Sequence, residues 1–163
     1  DFRRLFRYCH TAQAFSDAPF SYQYTYQALD QKFPGSKFIL TIRDNPEQWY
    51  NSVLRHYARF VGNGEVPTAD NLKDSDYVWK GYRLERNQII YNTLPDDPFD
   101  KEKLIASYNN HNNAVLEYFK YRENDLLVLN VAEEDAYNNL CIFLGHEPIN
   151  REFPHKNKSP ELK

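Results

Sequence analysis

The sequence has few of the residues that mark several large classes of protein. Among its 163 residues are only two cysteines, Cys9 and Cys141, and only five glycines. Two isolated cysteines form neither a disulfide framework nor a CxxC metal motif, and they predict a reducing, cytoplasmic setting. Because no stretch approaches 18 consecutive apolar residues, we expect neither a transmembrane helix nor a membrane partner.

An excess of positive charge is also missing. The formal net charge is −3 and the sequence pI is about 6.0. Since nucleic-acid-binding proteins usually carry a basic surface, we expect no nucleic-acid partner. Aromatic residues, by contrast, make up 16% of the chain, with 13 Tyr and 11 Phe. This composition predicts a packed core, and the length fits one domain over residues 1–163.

Two short apolar runs, residues 37–43 and 126–131, predict strands that are buried on both faces, because neither run alternates with polar residues. Residues 14–16 predict a third, shorter strand. Helical patterns separate these runs. The alternation predicts an α/β fold with a parallel sheet flanked by helices, and the mainly helical residues 46–122 would be an elaboration on one side.

The predicted helices have recognisable ends. Asn45 followed by Pro46 is typical of a helix start, with an N-cap and a proline in the first helical position. A second long helix is expected to begin near Asp100. Gly145 predicts the C-terminal end of a third helix, and residues 75–92 are also expected to be helical.

A candidate anion site follows the strand at residues 37–43. The strand ends on Arg43, whose guanidinium is suited to phosphate, and a capped helix begins two or three residues later. Ser52 could add a hydroxyl group from that helix. The alternative is that Arg43 forms a surface ion pair with Asp44 or Glu47 and that Ser52 is an ordinary helix residue.

Residues 37–52, KFILTIRDNPEQWYNS, resemble the segment that binds the 3′-phosphate of 3′-phosphoadenosine 5′-phosphosulfate (PAPS) in PAPS-dependent sulfotransferases. The likeness is to a bacterial-type branch with the pattern RD-x-P-x-x-W-Y-x-S. It implies a P-loop-NTPase-like parallel sheet, with PAPS as cosubstrate and 3′-phosphoadenosine 5′-phosphate (PAP) as product. Arg43 and Ser52 would bind the 3′-phosphate. Their spacing is one residue longer than in the well-known cytosolic enzymes, and the extra residue falls at the turn.

A second resemblance begins upstream. Residues 14–20, AFSDAPF, are similar to the family segment in which a Lys-Thr-His-x-Pro pattern ends a short strand. Aligning Pro19 with the family proline puts Asp17 at the position of the general base and Phe15 at that of the lysine. Asp17 is therefore the candidate catalytic base, and burial would tune it for that role. The alternative is that Asp17 caps a following helix.

The end of the chain is also similar to this family. Residues 138–145 resemble its "FLG" helix, and residues 153–157 resemble a closing segment in bacterial members. The likeness implies that His155, Lys156 and Lys158 cover the cofactor, whereas a solvated basic tail is the alternative. None of the five glycines lies in a phosphosulfate-binding loop, so the resemblance predicts that this loop precedes residue 1 and that the domain is N-terminally incomplete.

The resemblance implies a sulfotransferase that moves a sulfuryl group from PAPS to a hydroxyl or amine of a small-molecule or glycan acceptor, without a metal ion. Two other classes stay open, namely a P-loop nucleotide kinase and a non-catalytic α/β binding module. A set of aromatic and basic residues could wall the acceptor pocket or belong to the core: His56, Tyr57, Phe60, Tyr77, Trp79, Tyr82 and Arg83.

Overall fold

The computed structural model describes residues 1–150 and 152–153 of the chain. In this part the chain forms seven α-helices and two β-strands. The helices are α1 (Phe2–Tyr8), α2 (Thr25–Lys32), α3 (Pro46–Phe60), α4 (Ala69–Asp74), α5 (Tyr82–Tyr91), α6 (Lys101–Phe119) and α7 (Ala136–Leu144), and the strands are β1 (Phe38–Ile42) and β2 (Leu126–Asn130).

The two strands form a parallel sheet in which Phe38 is paired with Leu126 and Ile42 with Asn130. Parallel strands need a long crossover, and here α3 to α6 supply it. A mixed α/β fold with a parallel sheet is therefore confirmed. The P-loop-NTPase-like arrangement of the sheet stays a prediction.

Two details of the predicted sheet are wrong for the described residues. Ile39 and Val128 remain 42% and 40% exposed, so the strands are not covered on both faces. Residues 14–16 form no strand. The Phe15 ring instead stacks on Phe20, with centroids 4.8 Å apart. Its apolar side chain is thus accommodated by local aromatic packing without a strand partner.

Local sequence explains how α3 and α6 begin. The Asn45 side chain accepts a hydrogen bond from the Gln48 amide at 2.8 Å, and Pro46 is the first helical residue. Asp100 accepts a bond from the Lys103 amide at 3.0 Å in the same way. Both predicted starts are confirmed, and each cap satisfies an amide that would otherwise lack a partner.

The predicted helix at residues 75–92 is correct only for its second half. The α5 helix begins at Tyr82, after Gly81 in the left-handed region with φ of 82°. Such a conformation costs glycine little and breaks the right-handed path of a helix. Gly145 ends α7 with φ of 72°, as predicted.

Two groups of buried side chains form the core. The sheet cluster consists of Tyr26, Leu40, Val115 and Phe119, and the helix cluster consists of Tyr57, Leu72, Phe99 and Leu104. The α6 helix supplies residues to both clusters, so it links the sheet to the helical elaboration. No helix within the described ranges has the length and apolar character needed to cross a membrane.

Candidate active site

Arg43 directly follows β1. The cap residue of α3, Asn45, comes two residues later, and Pro46 begins the helix. The Arg43 side chain is exposed, and the Arg43 backbone amide donates to the Tyr108 hydroxyl at 3.1 Å. The Tyr108 ring in turn stacks on Trp49, with centroids 4.7 Å apart. Tyr108 of α6, supported by Trp49 of α3, therefore holds the backbone at the end of β1, while the Arg43 guanidinium remains accessible to solvent.

The alternative ion pairs of Arg43 do not form among residues 1–150 and 152–153. Glu47 lies 2.6 Å from the Lys101 ammonium. The Asp44 carboxylate accepts hydrogen bonds from the side-chain amides of Gln48 and Asn130. Both acids are thus engaged elsewhere, and the guanidinium can meet an anion without first breaking an ion pair.

The start of α3 offers a limited set of donors. Pro46 has no N–H group, and the Gln48 amide is bonded to Asn45. The Glu47 amide has no hydrogen-bond acceptor in the described part of the chain. An anion near Arg43 would therefore meet one free amide and the positive end of the helix dipole. The Asp44 carboxylate is an unfavourable neighbour for that anion.

Ser52 is a partly buried residue of α3. It lies six residues after Pro46, which is about 9 Å along a helix that rises 1.5 Å per residue. An anion that contacts both Arg43 and Ser52 would consequently lie beside the first two turns of α3. It would not lie on the helix axis.

Asp17 lies in the loop between α1 and α2, where it is exposed and adopts a φ of 59°. Its carbonyl accepts a hydrogen bond from the Ser21 amide at 2.8 Å. The alternative that Asp17 caps a helix is wrong, because α2 begins at Thr25, after Tyr24 in the cap position. A dry cleft around Asp17 is not found among the described residues, since its side chain is open to solvent.

The Asp17 carboxylate acts electrostatically on His56 of α3. Partial burial, followed by the charges of Arg83, Arg86 and Arg59, lowers the pKa of His56 below its ordinary value, and Asp17 opposes that shift. The imidazole is therefore neutral near pH 7 and accompanied by basic residues. The sequence predicts His56 only as a possible wall of an acceptor pocket.

A cavity of about 330 Å³ lies against β1. Arg43, Ser52 and Asp17 do not line it, but two of their hydrogen-bond partners do: Tyr108, which accepts from the Arg43 amide, and Ser21, whose amide donates to the Asp17 carbonyl. None of the seven residues expected from the sequence to wall an acceptor pocket lines it. Tyr57 is instead buried in the helix cluster, and Phe60, Tyr77 and Trp79 are exposed.

The sequence predicts that His155, Lys156 and Lys158 bind the cofactor. All three lie outside the described residues. Arg43 lies at the end of β1 and Ser52 lies within α3, while Phe20 and Ser21 of the loop that contains Asp17 line the cavity. The structure adds Tyr108 and Asn130, which the sequence did not single out. Both contact residues more than 60 positions away along the chain, a relation that no local pattern reveals.

Comparison with protein families supports the same chemistry. Residues 1–162 match the family model described as a sulfotransferase domain. This match spans almost the entire chain, and the protein belongs to that family. Searches of curated proteins and of solved structures find no significant match. The family identifies the chain as a transferase domain of the sulfotransferase type, which makes sulfuryl transfer the general reaction.

Proposed function

We propose that the protein transfers a sulfuryl group from PAPS to a hydroxyl, or an amine, of a small-molecule or glycan acceptor. The observation that carries this proposal is the state of Arg43. Its guanidinium is exposed at the end of β1, and it has no ion pair among the described residues. Arg43 and Ser52 would bind the 3′-phosphate, and the free Glu47 amide would add a third donor.

The reaction needs one proton acceptor on the acceptor side. The acceptor oxygen attacks sulfur, the bond between sulfur and the bridging phosphate oxygen breaks, and PAP leaves with the electron pair. Asp17 would take the hydroxyl proton. The loop of Asp17 supports this role, because Phe20 and Ser21 of that loop line the cavity and the Ser21 amide donates to the Asp17 carbonyl. Cationic groups stabilise the charge on the transferred group, as in phosphoryl transfer, and His155, Lys156 and Lys158 would contribute to covering PAPS.

Calorimetric titration of the purified full-length protein with PAP, AMP and ATP tests the donor site. We expect PAP to bind most tightly, because AMP and ATP lack the 3′-phosphate. A charge-assisted hydrogen bond contributes about 1.5–3 kcal/mol, so Arg43→Ala should raise the PAP dissociation constant about tenfold to a hundredfold.

Arg59→Ala is the matched control, because Arg59 is an exposed arginine at the far end of α3. It should leave PAP affinity unchanged within about twofold. Equal affinity for PAP and AMP, or an Arg43→Ala variant that binds PAP normally, would contradict the proposal.

A further inference from the structure

The cavity beside β1 carries an unusual charge. Its lining is largely aromatic and apolar, with Trp49, Tyr91 and Phe119 among the rings. Arg86 of α5 is the single charged side chain that lines it in the described part of the chain, if His111 is neutral. Burial lowers the pKa of His111, which keeps that imidazole neutral near pH 7. The cavity thus holds one positive charge.

No carboxylate balances that charge within the described ranges. Arg86 forms no ion pair there. Tyrosine hydroxyls, those of Tyr57 and Tyr91 among them, lie near its guanidinium, and the Tyr57 hydroxyl donates to the Asn87 side-chain oxygen at 2.7 Å. Phenol groups are neutral at pH 7, whereas arginine remains protonated. A partly buried cation with only neutral neighbours favours an anionic ligand.

The shape and size of the cavity narrow the ligand further. A volume of about 330 Å³ is near the lower end for small-molecule sites, which are mostly apolar with a few placed polar groups. One guanidinium matches one carboxylate, because two of its five N–H groups can pair with the two oxygens. Aromatic walls suit a ring. A dianionic phosphate has two negative charges and the lining has one positive charge, so half of the phosphate charge would remain unbalanced.

We propose that Arg86 anchors the acceptor, and that the acceptor is a ring-bearing alcohol or phenol with a single carboxylate. This inference rests on the proposed function, since it assigns the cavity to the acceptor of that reaction. Arg86 pairs with the carboxylate, the ring lies among the aromatic walls, and the hydroxyl points toward the loop of Asp17. Ser21, which lines the cavity and donates to the Asp17 carbonyl, connects the two.

A pair of ligands that differ only in charge tests the inference. The acid is 4-hydroxyphenylacetate and the neutral control is 4-hydroxyphenylacetamide. Binding is followed by the fluorescence of Trp49 in a Trp79→Phe background, because Trp49 lines the cavity and Trp79 does not. We expect the acid to bind about tenfold more tightly than the amide or better. Equal affinities for the acid and the amide, measured in the protein that carries only Trp79→Phe, would overturn the inference.

Arg86→Gln should remove that preference, and Arg86→Lys should retain part of it. The matched control is Arg83→Gln, one turn earlier on α5, since the Arg83 guanidinium donates to the Asp76 carbonyl and lies over the Tyr77 ring, outside the cavity. Arg83→Gln should keep the preference within about twofold. A loss of preference that is equal in Arg83→Gln and Arg86→Gln would overturn the assignment to Arg86.

Titration of the same samples with PAP separates this inference from the proposed function. PAP affinity should be unchanged in Arg86→Gln. If Arg86→Gln weakens PAP and the acid alike, Arg86 belongs to the donor site and the inference is overturned. If PAP fails to bind while the acid binds selectively through Arg86, the proposed donor is wrong and the carboxylate site stands.

Discussion

At the scale of single residues, Arg43 and Asp44 illustrate how neighbours acquire different roles. Asp44 is bound by two amide side chains, one from α3 and one from the end of β2. Those bonds join the sheet to the helix and occupy both carboxylate oxygens. Because the acid is held there, the adjacent guanidinium keeps its donors for a ligand. Asp44 therefore contributes to the site by orienting the turn.

Asp17→Asn separates proton transfer from donor binding. A general base contributes about a hundredfold to ten-thousandfold to the rate, so we expect kcat to fall by about a hundredfold or more. The PAP dissociation constant should be unchanged, because Asp17 does not belong to the proposed phosphate contacts. The measurement is steady-state kinetics together with PAP calorimetry.

The control for that prediction is Asp70→Asn, which removes an exposed carboxylate from α4. It should leave kcat within about twofold. An Asp17→Asn enzyme with normal kcat would remove Asp17 from the catalytic role and direct attention to His56, whose pKa is influenced by Asp17.

His111 predicts how stability depends on pH. Burial lowers its pKa below the ordinary histidine value of about 6.5, so the unfolded chain binds the proton more tightly than the folded chain. The contribution to stability is then complete above pH 6.5 and is lost as the pH falls through 6.5 toward the folded pKa. Urea unfolding at pH 7 and pH 5 should show a smaller decrease in the free energy of unfolding for His111→Gln than for the unaltered protein.

His10→Gln is the comparison, because His10 is exposed. Its pH dependence should match that of the unaltered protein. If His111→Gln loses as much stability between pH 7 and pH 5 as the unaltered protein, the imidazole is not disfavoured in its charged form by the fold.

At the scale of elements, α3 depends on its cap. Asn45 accepts the Gln48 amide, and loss of such a cap costs about 1 kcal/mol, within a range of about 0.5–2 kcal/mol. Asn45→Ala should lower the free energy of unfolding by that amount, measured by urea denaturation. Asn109→Ala is the matched control, since Asn109 is exposed inside α6 and alanine favours a helix interior. Equal effects of the two substitutions would exclude a capping role.

The ends of three helices show which features a sequence can predict. The start of α3, the start of α6 at Asp100 and the end of α7 at Gly145 all depend on residues within one turn of the boundary. Such local chemistry is legible from the chain alone. The strand cores at residues 38–42 and 126–130 were also predicted, because their apolar runs are bounded by polar turns.

Two segments were predicted wrongly because their structure depends on contacts that reach beyond one helical turn. Residues 14–16 are apolar enough for a strand, but Phe15 packs on Tyr8 and Phe20 of nearby segments. Residues 75–81 contain helix-compatible residues, yet the Trp79 indole donates to Glu85 and Gly81 begins the next helix. Side-chain contacts five to seven positions apart and one left-handed glycine decided these segments. The cavity was missed for a different reason, since Arg86 and the residues of β1 line it together only in the folded chain.

At the scale of the whole molecule, a buried polar connection ties the helical elaboration together. Asn87 is fully buried, accepts from the Tyr57 hydroxyl at 2.7 Å and donates to the Pro98 carbonyl at 3.1 Å. It therefore joins α3, α5 and the segment before α6. Because Arg86 precedes Asn87 on α5, the core of the elaboration positions the backbone of the anchor proposed for the acceptor.

The long helix α6 joins both halves of the core, since Leu104 belongs to the helix cluster and Val115 and Phe119 to the sheet cluster. Leu104→Ala should lower the free energy of unfolding by about 2–5 kcal/mol, because Leu104 is fully buried and the truncated side chain leaves a cavity. Leu116→Ala, on the same helix but 43% exposed, should change it by about 0.5 kcal/mol or less.

Two probes of the Leu104→Ala protein then test whether the clusters unfold together. Fluorescence of Trp49, which packs against the helix cluster, and far-UV circular dichroism of all helices should give the same urea midpoint. Since α6 is continuous through both clusters, loss of its packing at Leu104 removes the platform on which Val115 and Phe119 meet β1. Separate midpoints would show that the sheet cluster persists without the helix cluster, and that α6 does not couple the cavity wall to the rest of the fold.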